Sequence, residues 1–201
     1  MKKSVSKAIV LMMIPIAMAI IMQGILRDGV TTWLPSLISD TFKLPDSLSI
    51  LLGMVLPIFS MISYNVSSKI EDKIGNELIT SAVFFITAVA SAGLLALFID
   101  VSPALSVLLL ALITGCMHGV NLMLISRVPR YFDKYGKIST VSGIVNAFTY
   151  VGSALATYIV PLIASHLTWS ITALSWLAMA AVGALVCLVT VKTWSAFRRD
   201  R

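Results

Sequence analysis

Charge is what this sequence has least of. Aspartate and glutamate together number nine, lysine and arginine fifteen, and charged residues make up only 12% of the chain. Soluble domains carry about a quarter, so a soluble globular fold is excluded. Cysteine is nearly absent too: Cys116 and Cys187 both fall inside apolar stretches, where they read as small packing residues rather than a disulfide, and they are silent on redox compartment. The sequence contains no G-x-S-x-G, P-loop, H-E-x-x-H or C-x-x-C. No second histidine, cysteine or carboxylate lies at ligand spacing from His118, which argues against a metal. Hydrolase, kinase and metalloenzyme readings therefore have no residues to stand on; neither an enzyme nor a cofactor is expected.

What is present is apolar length. Hydrophobic residues make up 58% of the 201 positions, and the mean hydropathy is +0.96. Six runs reach bilayer length, at about 8–38, 47–66, 78–99, 104–126, 138–164 and 169–191. The expectation is an all-α, multi-pass membrane protein with one six-helix bundle spanning 1–201, its core built between helices in the lipid bilayer.

The net charge of +6 invites a nucleic-acid partner, and its distribution excludes one. Lys2, Lys3 and Lys7, Lys69 and Lys73, Arg127, Arg130, Lys134 and Lys137, and Lys192, Arg198, Arg199 and Arg201 occupy both ends and every second loop. The alternate loops, near 40–46, 101–103 and 165–168, hold only Lys43. This is the positive-inside pattern, and it predicts both termini on the cytoplasmic side of the cell membrane. The N-terminal lysines, the apolar segment behind them and Ala17-Met18-Ala19 imitate a signal peptide. The apolar run continues well past that point, so an uncleaved first helix is expected.

The informative stretch is Gln23 to Ser36, Q-G-I-L-R-D-G-V-T-T-W-L-P-S, in the middle of the first run. A charge near the bilayer centre costs about 2.5–3.5 kcal/mol even on lenient insertion scales. Arg27 lies only about 6 Å beyond the midpoint at Gln23, counting about 1.5 Å per residue. Helical spacing predicts Gln23, Arg27 and Thr31 on one stripe, with Asp28 and Thr32 about 100° round. A cation with hydrogen-bonding neighbours suits an aqueous cavity that receives a small anion. The alternative is that Arg27 and Asp28 sit at the outer interface and merely neutralise each other. Gly24, Gly29 and Pro35 predict close packing or a break in the helix, and Trp33 an interfacial belt.

Elsewhere, Pro45 is placed at the first helical position of the second span, and Pro57 is expected to kink it. The following loop carries Asp72-Lys73-x-Gly75, with a tight turn at Gly75 and Asp72 available to face a helix N-terminus or a cation across a domain interface. A second D-K-x-G at Asp133 to Gly136 does not fit an inverted repeat and reads as coincidence. Span four has Gly115-x-x-x-Gly119, read as helix packing, beside His118 and Asn121 on one face. Span five places Gly143, Asn146 and Tyr150 on one face that suits a pathway, with Gly152 and Ala156 suited to close contact. Span six, framed by Trp169 and Trp194, reads as a lipid-facing scaffold.

These residues together resemble a known family. Ser68-x-x-x-Asp72-Lys73-x-Gly75 is similar to the G-x-x-x-D-[RK]-x-G loop of the major facilitator superfamily, with serine at the first glycine. L-R-D-G-V-T-T-W-L-P-S, S-R-V-P-R and G-I-V-N-A-F-T-Y-V-G-S resemble its C-terminal half, closest to the organophosphate:phosphate antiporter (sugar-phosphate permease) family. That family's L-R-[aromatic]-G-x-x-x-W-x-P-[ST] pattern falls on Leu26, Arg27, Gly29, Trp33, Pro35 and Ser36. Its G-x-x-x-x-F-x-Y-x-G pattern falls on Gly143, Phe148, Tyr150 and Gly152. The resemblance implies one six-helix half of the superfamily fold, alternating access, and Arg27 as the phosphate-binding arginine. It also implies a complementary N-terminal half carrying a partner arginine. Asp28 departs from the pattern, and its carboxylate either lowers anion affinity or supplies a site for proton coupling.

The leading reading is half of a transporter exchanging an organic phosphate for inorganic phosphate. The substrate-binding set is Arg27, Gln23, Thr31, His118, Asn121, Asn146 and Tyr150, and the gating loop is Asp72, Lys73 and Gly75. The alternatives are a proton-coupled organic-anion symporter half using Asp28, or a non-transporting truncated remnant or interaction module. An oligomeric channel lacks any filter-like loop or ring of charges. The topology is tested by cysteines at Ser68 and Asp133 in a background without Cys116 and Cys187. Both are expected to react in intact cells only with membrane-permeant thiol reagents; labelling by an impermeant reagent would reverse the orientation.

Overall fold

The computed structural model describes residues 7–199, apart from the side chain of Ala8. Lys2, Lys3 and Arg201 of the terminal basic clusters lie outside the described residues. The chain forms α1 (Lys7–Phe42), α2 (Asp46–Gly53), α3 (Val55–Ile74), α4 (Glu77–Phe98), α5 (Pro103–Asn121), α6 (Ile138–His166) and α7 (Trp169–Arg199). A π-helical turn, Leu122–Arg127, and a 3-10 segment, Val128–Tyr135, continue α5. Six of the resulting segments are long and apolar enough to cross a membrane, α2 with α3 forming one of them.

Prolines decide where these helices break. α1 runs unbroken through Pro15 and Pro35, so Pro35 does not end it; neighbouring helices can re-satisfy the carbonyls a proline frees inside a membrane. Pro57 does more than kink its span. A proline ring clashes with the carbonyl four residues back, here that of Gly53, and α2 ends at that residue, with Met54 N donating to Leu51 O (3.1 Å). Pro45 is the residue before α2 rather than its first. Pro129, which cannot donate to the ladder, sits where the π turn gives way to the 3-10 segment.

α1 packs against α5, α6 and α7; α4 packs against α5 and α7; α3 lies on α5. The fourth span is the most enclosed, and the second and fifth are the least. α3 and α6 therefore flank the α1–α5 pair and leave one broad face open. Small residues set the closest approaches. α1 and α6 cross backbone to backbone: a Cβ on Gly152 would stand 2.9 Å from Ile25 N and 3.1 Å from Gly24 Cα. Ala88 and Ala92 of α4 are fully buried against the α7 side of the bundle, with Ala173 and Ala180. Ser63 of α3 donates to the Gly115 carbonyl of α5.

Trp194, expected to frame a lipid-facing span, is fully buried, and its Nε1 donates to Glu77 Oε2 (2.9 Å). Trp169 at the other end of α7 donates to Asp40 Oδ2 (3.1 Å), tying α7 to α1.

Gly152→Val is expected to destabilise the bundle by about 1–3 kcal/mol, because backbone rather than a movable side chain blocks the added atoms. A Cβ on Gly143 meets nothing within 4 Å, so Gly143→Ala is expected to be neutral or stabilising by up to about 1 kcal/mol. Thermal unfolding in detergent measures both. Equal midpoints for the two variants would show that the α1–α6 crossing is not tight.

Candidate functional site

On the open face, an ion pair forms across adjacent positions of α1. Arg27 Nε donates to Asp28 Oδ1 (2.6 Å) and Nη2 to Oδ2 (2.8 Å). Neighbouring helix positions do not ordinarily face one another, so the long arginine side chain has swung round the helix to reach the carboxylate. Ser153 of α6 donates a third hydrogen bond to Asp28 Oδ2, a contact made possible by the Gly24–Gly152 crossing one turn away. Arg27 Nη1 has no partner among the described residues. The two side chains are 19% and 32% exposed, enough for a solute to reach them.

The neighbours of this pair come from three other helices. His118 of α5, Tyr64 of α3 and Tyr150 of α6 lie within Coulombic reach of Arg27 or Asp28. His118 Nδ1 stands 2.9 Å from the Thr114 carbonyl and 3.2 Å from Ser60 Oγ. A carbonyl only accepts, so Nδ1 carries the proton. Tyr64 packs edge-on against the imidazole, with centroids 5.9 Å apart.

The remaining sequence candidates divide. Thr31 is exposed, and its hydroxyl donates to the Arg27 carbonyl (2.7 Å). Asn146 and Tyr150 are exposed on α6, and Asn121 is half-buried at the end of α5. Gln23 leaves the stripe: it is fully buried, and its Nε2 donates to the Met117 carbonyl (3.2 Å). Four residues are about 40° more than one turn, so the row from Gln23 to Thr31 rotates by about 80°, from the α5 contact to the open face.

At the basic end, Gly75 and Gly136 both adopt φ of 64°. Gly75 N donates to Glu71 O (2.6 Å) and Gly136 N to Asp133 O (2.7 Å). The two D-K-x-G segments thus share a left-handed C-terminal cap, which explains their similarity without a repeat. Asp72 and Lys73 are exposed, and Arg127 pairs with buried Glu71, standing 3.9 Å from Asp72.

Sequence reasoning missed the group around Glu77. This carboxylate, 2% exposed, accepts from Tyr131 OH (2.7 Å) and Trp194 Nε1 (2.9 Å), with Arg198 Nε at 3.4 Å. Arg198 Nη1 also donates to Gly75 O (2.5 Å). The cluster joins the α3–α4 loop, the 3-10 segment and the end of α7. Of its residues, only Gly75 was expected to form a turn, Arg198 to mark the basic side and Trp194 to frame the last span. Ser153 was also missed, although it lies three residues beyond Tyr150 on the same polar stripe.

Six long apolar spans with an ion pair held on the open face define a multi-pass integral membrane protein. The sequence pattern of the Major Facilitator Superfamily matches residues 2–157, and the chain belongs to that family of membrane transporters. No curated protein matches it.

Breaking a buried pair from one side leaves the other charge uncompensated, so Glu77→Ala is expected to cost about 3–5 kcal/mol. Tyr131→Phe, which removes one hydrogen bond to a charged group, should cost about 1–3 kcal/mol. Asp72→Asn should stay within about 0.5 kcal/mol. Chemical unfolding in detergent ranks the three. A Glu77→Ala variant as stable as Asp72→Asn would show that the cluster does not anchor the basic end.

Proposed function

We propose that this chain is a six-helix half of an organic-anion transporter, exchanging an organic phosphate for inorganic phosphate by alternating access. The observation that supports this most directly is Arg27: a cation inside the apolar layer, on the open face, with Nη1 unengaged. Planar guanidinium groups bind phosphate and carboxylate bidentately. Thr31, His118, Asn121, Asn146 and Tyr150 complete the binding face, and Gln23 supports it from behind by holding α1 to α5. The whole of 1–201 acts as one bundle, facing a complementary six-helix bundle that closes the other side of the pathway. Both termini lie on the cytoplasmic side, where the loop turn at Asp72, Lys73 and Gly75 is steadied through Glu71 and Arg127 rather than through Asp72 itself.

The Arg27–Asp28 pair also favours a second reading, proton-coupled symport. An anion that engages both edges of the guanidinium must displace Asp28, and a proton on Asp28 would release it without leaving a bare carboxylate beside the incoming anion.

The test reconstitutes the chain with a complementing bundle in liposomes and follows labelled phosphate and sugar phosphates. Arg27→Lys keeps charge but loses the fork, and is expected to weaken binding at least tenfold; Arg27→Ala should abolish it. Asp28→Asn should tighten anion binding. Under the symport reading the same variant also loses any response to a pH gradient, whereas under exchange there is none to lose. Parent-like transport by Arg27→Ala would end the anion reading.

A further inference from the structure

A groove of about 430 Å³ lies between the first turns of α1 and α6. α1 contributes Val10 and Ile14, α6 contributes Ile144 and Phe148, and Lys137 and Thr140 stand at one end. Val10, Ile14 and Ile144 are each more than half exposed. The groove is thus an apolar slot with a single cation, Lys137, which is itself exposed. Lys137 lies at the start of α6, which has no side-chain cap, and at the end of the bundle where the two D-K-x-G turns gather the other basic residues.

We propose that this groove holds an anionic phospholipid, one acyl chain lying along α1 and α6 and the headgroup phosphate against Lys137. The placement of charge selects this occupant. Basic pockets between membrane helices at the leaflet surface recognise anionic headgroups, and here the cation is at the interface end while the rest of the slot is hydrocarbon. From Val10 to Ala17 and from Thr140 to Phe148 the groove is about 10–12 Å long at about 1.5 Å per residue, within the depth of one leaflet, half of a hydrocarbon core of about 30 Å. On α1 the groove lies in line with Asp28, about five turns away, whereas on α6 Ile144 and Phe148 lie about 160° round from Asn146 and Tyr150, so the slot and the polar residues occupy opposite sides of that helix. The proposal does not depend on the transported substrate.

The experiment is native mass spectrometry of the 201-residue chain in mild detergent, titrated with phosphatidylglycerol or phosphatidylcholine of identical acyl chains. The parent should retain phosphatidylglycerol severalfold more strongly. Lys137→Gln should reduce that retention about fivefold, the effect of about one interfacial lysine, and leave phosphatidylcholine unchanged. Ile144→Trp, which fills the slot at an exposed position, should weaken both lipids. Lys69→Gln, at the same end of the bundle but on α3, should change neither. No preference in the parent would give the groove to a protein partner. An equal loss in Lys69→Gln would reduce the effect to general surface charge, and an unaffected Lys137→Gln would remove the headgroup site; each of these overturns the proposal.

Discussion

The contact on which the site depends carries no charge. α1 and α6 meet at Gly24 and Gly152, where neither helix presents a side chain and the backbones touch. In a membrane, apolar side chains gain little by leaving lipid, so association rests on close packing of this kind. The approach brings Ser153 within hydrogen-bonding distance of Asp28. A wider crossing would strand that carboxylate with Arg27 alone and open the space behind it.

The basic end and the open face are built on opposite principles. At the basic end the buried acids are engaged: Glu71 by Arg127, and Glu77 by Tyr131, Trp194 and Arg198, with Arg198 also holding the Gly75 carbonyl. Buried charges of this sort are costly unless fully satisfied, and their full satisfaction fixes one geometry. On the open face the reverse holds. Arg27 and Asp28 are partly exposed, the imidazole is held through Nδ1 alone among the described residues, and Asn146 and Tyr150 point away from the bundle core. The rigid end positions the helices, and the open face is left with groups free to exchange partners.

Much of this was legible in the sequence. Length and hydropathy define six spans, because a bilayer sets element length more sharply than a soluble core does. Arg27 stood out because a charge in hydrocarbon needs a reason, and its pairing with Asp28 is the mutual neutralisation that the same stretch also allowed. Gln23 was misplaced because a row at four-residue spacing drifts round the helix, and only the position of α5 decides where the row dips into the core. The Glu77 cluster was hidden for a different reason. Its members come from residues 75, 77, 131, 194 and 198, a set no local spacing connects. Trp194 shows the hazard, since a tryptophan near a helix end suits both a membrane belt and a buried hydrogen bond.

The π turn at Leu122–Arg127 follows His118, which faces the ion pair, and ends on Arg127, which locks the basic end. A π turn spends about one residue more than an α turn, equivalent to about 100° of rotation. The phase between the two halves of this span is therefore set by a single surplus residue. An uninterrupted α-helix of the same sequence would aim His118 correctly and carry Arg127 away from Glu71. The helix thus works as a vernier, in which one residue of register converts the angular position of one end into that of the other.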